Sequence, residues 1–131
     1  MKLSVLCLLS IFCCACAAQQ PSVPPASITV EKIVTTSSGC QVKISIFNNT
    51  QDAWRVTHFD IAFRDKSLVV IGEYRNNPSI YTEPGRGILV NGIVRGISCE
   101  DIAAASLIDF NYLTKYQLVQ VETSSVSMTI E

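Results

Sequence analysis

The sequence has one histidine, His58, and outside its first 18 residues only two cysteines, Cys40 and Cys99, which stand 59 positions apart. That set cannot complete a tetrahedral zinc site or a local metal knuckle, so no metal is expected. No serine lies in a Gly-x-Ser-x-Gly elbow, and a single histidine on a strand is more often structural than catalytic. Gly85-Arg86-Gly87 and the Gly92 to Gly96 stretch lack the strand, glycine run and helix of a phosphate loop, so they read as turns. Glu73, Glu83, Glu100 and Asp101 carry no spacing that marks a glycosidase carboxylate pair. No basic cluster exists either: beyond Lys2, nine basic side chains are scattered among eleven acidic ones, which argues against nucleic acid and anionic membrane surfaces. The expectation is a protein without enzymatic activity or cofactor.

What is present begins with an address. Met1-Lys2 is a short positive segment, Leu3 to Cys14 has only Ser4 and Ser10 as polar residues, and Ala15-Cys16-Ala17-Ala18 is a run of small residues. This order reads as a signal peptide over 1–18. The run falls short of the roughly 20 apolar residues that span a bilayer, so no membrane span is expected. Two cleavage chemistries fit: release before Ala18 or Gln19, or lipidation of Cys16 after a lipobox-like Cys13-Cys14-Ala15 whose leucine position is held by Cys13. Release, secreted or periplasmic, is the favoured reading, with a lipid anchor in the envelope as the alternative. A proline-stiffened spacer, 19–26, then leads to one domain over 27–131.

From Ser27 onward, short runs of Val, Ile, Thr and aromatics alternate with clusters of Gly, Asn, Pro, Asp and Ser. That is the pattern of an all-β, two-sheet antiparallel sandwich. The clearest strand is Cys40 to Phe47, whose Cys40, Val42, Ile44 and Ile46 share one face. Ile28, Val30 and Ile33 change parity, which asks for a bulge near Glu31 and Lys32 if all three are buried. Trp54 and Val56 differ in parity from Phe59, Ile61 and Phe63, which implies a second bulge or a crossing of sheets. Leu68 to Tyr74 reads as one apolar strand and Ile80 to Thr82 as a short one. Asn91-Gly92, between Ile88 to Val90 and Ile93 to Arg95, predicts a type I′ hairpin because that turn needs positive φ at both central residues. Cys99 to Ala105 predicts a turn or two of helix, and Ser106 to Tyr112 and Leu118 to Ile130 predict the closing strands.

Two cysteines alone in an exported domain predict a Cys40–Cys99 disulfide. Asn48-Asn49-Thr50 has the form of a glycosylation acceptor, usable only under eukaryotic secretion. For recognition, the residue types that concentrate energy at interfaces are Trp54, Tyr74, Tyr81, Tyr112 and Tyr116, with Arg55, Arg75 and Arg86. The favoured contact is the Tyr74 to Tyr81 segment, with Trp54 and Arg86 as further binding candidates.

Signal peptide, spacer, alternating strands and the Cys40/Cys99 pair resemble small exported bacterial proteins with an immunoglobulin or fibronectin-III-like sandwich, some of which are secreted immunomodulators. Trp54 follows Cys40 by fourteen residues, as a tryptophan accompanies the disulfide in immunoglobulin domains, but Ile97 stands where their tyrosine precedes the second cysteine. The resemblance implies a non-enzymatic module that binds another protein and leaves homo-oligomerisation open. The alternatives are an envelope-appendage component acting by strand addition and a small hydrolase centred on His58.

Overall fold

A computed structural model describes residues 23–131. The leader, Cys16 and most of the spacer lie outside the described residues. Nine strands follow: β1 (Ala26–Thr36), β2 (Gly39–Asn48), β3 (Trp54–Arg64), β4 (Val70–Asn76), β5 (Ile80–Thr82), β6 (Gly87–Arg95), β7 (Ala104–Leu113), β8 (Leu118–Gln120) and β9 (Ser127–Ile130). They form two sheets, one in the order β6-β2-β1-β9 and one in the order β4-β3-β7-β8 with β5 also on β3. Every pairing is antiparallel except that of β9 with β1. The protein is thus an all-β two-sheet sandwich.

Alternation explains which residues meet between the sheets. Ile28 and Val30 of β1, Cys40, Val42, Ile44 and Ile46 of β2, and Val90 and Val94 of β6 face Trp54, Val56, Phe59, Ile61, Phe63 and Phe110 of the second sheet. The parity change in β3 is resolved by a bulge between Val56 and His58, which keeps both apolar sets inside. The bulge in β1 falls between Lys32 and Val34, so the extra residue is Ile33 itself, half-exposed rather than buried.

Three expectations are corrected. Asn91-Gly92 is not a turn: β6 runs straight through it, and Gly92 lacks positive φ. A Cβ at Gly92 would overlap the Tyr74 ring, 2.8 Å from its hydroxyl, so glycine serves close approach of the two sheets there. Leu68 and Val69 lie outside β4, because the Asp65 carboxylate accepts from the Ser67 and Val69 amides (2.8 and 3.1 Å) and holds Leu68 at φ 65°. The helix expected near Cys99 is a single 3-10 turn, Cys99–Asp101, since the alanines after it join β7, with Ala104 opposite Arg64 and Ala105 opposite Phe63.

The disulfide between Cys40 and Cys99 is present, with Cα atoms 4.8 Å apart. It ties β2 to the turn that leads into β7. That turn is also held to β1, where the Cys99 amide donates to Thr35 Oγ1 (2.9 Å) and Lys32 Nζ donates to the Ile102 carbonyl (2.9 Å). At the other end Asn48 is fully buried, its Nδ2 donating to the Asp52 and Thr82 carbonyls (2.9 and 3.2 Å) while its Oδ1 accepts from the Thr50 amide and hydroxyl (2.9 and 2.7 Å). In the folded protein both Asn48 amide hydrogens are thus engaged, and a glycan on this nitrogen would have no room.

Candidate functional site

The sequence-named recognition residues part company in the fold. Trp54 is no surface residue: it is fully buried, stacks on Tyr112 (centroids 4.8 Å apart), meets Phe110 edge-on and donates its indole N–H to Thr50 Oγ1 (3.1 Å). Nor does it touch the disulfide end, since it opens β3 beside the Asn48 turn. Tyr74 is half-buried at the open side of the sandwich, over Gly92, and its hydroxyl accepts from Asn76 Nδ2 (2.7 Å). It shields the edge of the core. Arg75 is exposed yet tied down, with Nε 2.8 Å from Asp60 Oδ2 and Nη2 3.2 Å from Glu73. Asp60 is almost fully buried, so its carboxylate depends on that guanidinium. Arg86 is exposed in the turn after β5, and Tyr81 is 59% exposed on β5 itself. The segment from Tyr74 to Tyr81 thus presents Tyr81 to solvent while Tyr74 is half-buried over Gly92 and Arg75 is held by two carboxylates.

Around His58 the outer face of the second sheet is polar and internally paired. His58 Nδ1 donates to Asn77 Oδ1 (2.6 Å), and Nε2 lies 3.5 Å from Asp109 Oδ2. Asn111 Nδ2 donates to the same carboxylate oxygen (3.4 Å). Nδ1 is engaged by Asn77 and Nε2 faces a carboxylate, and no hydroxyl or thiol is among the ring's partners in the described residues.

One end of the same face differs. Strand register sets Tyr81 opposite Arg55, Arg55 opposite Leu113 and Leu113 opposite Leu118, a row that crosses β5, β3, β7 and β8. All four are exposed, Leu118 at 64% and Leu113 at 41%. Directly opposed side chains in a sheet have Cβ atoms about 5 Å apart, so the row is one continuous strip. Beyond it the turn between β7 and β8 carries Tyr116, 86% exposed, with Lys115 Nζ 5.6 Å from its ring centre. Tyr81 and Tyr116 line a shared concavity of about 360 Å³ with Asp52, Lys115 and Gln117. Leu113 and Leu118 are the residues that sequence reasoning missed. The signal was available: if Phe110 and Tyr112 face inward, Leu113 must face out.

No family model and no curated protein matches the sequence. Among solved structures, the fold is similar to that of IrmA from Escherichia coli, with a TM-score of 0.51 at 12% identity, covering 79% of this chain and 92% of that one. At that identity the likeness speaks for the two-sheet fold alone.

Proposed function

We propose that this protein is an exported, non-enzymatic binding module that captures another protein through the strip Tyr81, Arg55, Leu113 and Leu118, with Tyr116 at its margin. The observation that carries the reading is the strip itself: aromatic, arginine and leucine side chains made contiguous by register on an open sheet face. Large exposed apolar groups in a row, rimmed by Lys115 and Asp52, fit the composition of a protein contact better than that of a catalytic cleft. His58 has no serine or cysteine nucleophile among its partners in the described residues, which favours binding over a hydrolase of the serine or thiol type. The disulfide favours an oxidising, extracytoplasmic compartment, in keeping with the leader. The likeness to IrmA supports the two-sheet scaffold on which the strip is displayed.

The test is affinity capture from the extracellular milieu, followed by calorimetry with the captured protein. Tyr81→Ala and Leu113→Ser should each weaken binding by about 30-fold or more, the scale of a hot-spot loss, with thermal unfolding unchanged. Phe47→Ser, on the outer face of the opposite sheet, should leave binding intact. Loss of binding with Phe47→Ser but with neither strip variant would assign recognition to the wrong sheet and overturn the reading.

A further inference from the structure

β6 ends its sheet with nothing paired on its far side among the described residues. Its hydrogen-bond phase follows from the two ends of the β2–β6 ladder. The Asn48 amide donates to the Arg86 carbonyl (2.9 Å) and the Gly96 amide to the Ser38 carbonyl (3.2 Å), and the register between them is unbroken. Hydrogen-bonded pairs alternate in an antiparallel ladder, so Ile88, Val90, Gly92 and Val94 spend their backbone groups on β2. Leu89, Asn91 and Ile93 therefore turn an N–H and a C=O each toward the open edge. Tyr74 Oη, which donates to the Asn91 carbonyl at 3.4 Å, marks that direction and leaves the oxygen a second lone pair.

Exposed edges are normally blunted by lysine, proline or shortness. β6 has nine residues, no proline, and Arg95 at its very end as its one charge. Its sequence from Ile88 to Val94, Ile-Leu-Val-Asn-Gly-Ile-Val, is nearly self-complementary when read antiparallel about Asn91. In that register Leu89 (63% exposed) opposes Ile93 (39% exposed) of a second copy, and Ile88 opposes Val94. Arg95 opposes Gly87, over which the Phe47 ring lies with Cδ2 3.5 Å from where a Cβ would stand, so the incoming guanidinium is offered a half-exposed aromatic face. The groove alongside, lined by Glu73, Arg75 and Arg95, gives the edge a polar rim.

We propose that β6 is a self-association edge, on which a second copy of this chain pairs antiparallel about a twofold axis through Asn91 and joins the two four-stranded sheets into one. The pairing uses the same edge on both copies, so it closes at a dimer and does not propagate into a filament. It also lies away from the Tyr81 to Leu118 strip and stands or falls independently of it.

Sedimentation velocity of the leader-free protein over a concentration series should show a monomer–dimer equilibrium. Leu89→Lys and Ile93→Lys should each abolish the dimer while the thermal midpoint stays within the range of the unaltered protein. Cysteine crosslinking reads the register directly. Residues of a hydrogen-bonded pair lie about 5.5 Å apart, within disulfide reach, so Asn91→Cys should crosslink to itself under mild oxidation. Leu89→Cys should crosslink to Ile93→Cys in a mixture, and neither should do so alone. A monomer at every concentration, a ladder of larger oligomers, or a dimer untouched by both lysines and by Asn91→Cys would each overturn the proposal.

Discussion

Gly92 shows how a single absent methyl group shapes this sandwich. The Tyr74 ring crosses from one sheet to the other at the open side and lies where a Cβ would project, 2.5 Å from Cζ. Gly92→Ala must push the ring outward or spread the strands, and overpacking of this kind costs about 1–3 kcal/mol. If the ring is the whole obstacle, Tyr74→Leu, which removes the ring atoms, makes the alanine nearly harmless in the same background. The check is a double-mutant cycle by urea unfolding, with coupling of 1 kcal/mol or more expected between the pair and additivity as the contrary result. The same position explains a misreading of the sequence. Asn-Gly between two apolar runs has two physical uses, a turn with positive φ and a strand crossing with no room for a side chain, and only the partner across the sheets, Tyr74, decides between them.

At the scale of elements, parity carried the reading well where a strand supplies its own pattern. The alternation of β2 placed Cys40 inside, and the change of phase in β3 called for a bulge or a crossing of sheets, of which the structure has a bulge between Val56 and His58. In β1 the same logic found a bulge but buried the wrong residue, because the bulge falls one step later, with Ile33 as the extra residue while Lys32 stays in register and donates to the Ile102 carbonyl. The closing segment is divided: β8 pairs with β7 in one sheet and β9 with β1 in the other, which accounts for the change of parity between Val121 and Val126. Tyr112, on the inward side of β7, gives this region a pH signature. Burial, and secondarily the Asp52 carboxylate, raise its phenol above the ordinary value of 10.0. The unfolded chain therefore releases that proton first, so the native state holds its full stability below about pH 10 and loses part of it as pH rises toward the folded value. Urea midpoints from about pH 8 to about pH 11 should fall in the upper part of that range, and Tyr112→Phe, which keeps the stacking on Trp54, should flatten the fall. An equally steep fall in the variant would place the alkaline sensitivity elsewhere.

At the scale of the whole molecule, the candidate site was the least legible part of the sequence. The strip unites residues from 55, 81, 113 and 118, and nothing local in any of those segments announces its neighbours; register alone does. The disulfide was legible because it needed only a count of cysteines and a compartment. Its effect is also global. Closing a loop across 59 positions removes freedom from the unfolded chain worth about 4 kcal/mol, against a total of roughly 5–15 kcal/mol for a domain of this size. The Cys40→Ala, Cys99→Ala double variant should unfold at a distinctly lower urea concentration, with a steeper dependence on urea because its unfolded state is more expanded. A loss under about 1 kcal/mol would mean that the packing of Val42, Ile44, Phe63 and Ile102 holds this end unaided. At the expected loss, the reduced chain keeps about 1–11 kcal/mol, so at the low end of that range folding itself depends on the bond, and the pair suits a compartment where thiols are oxidised.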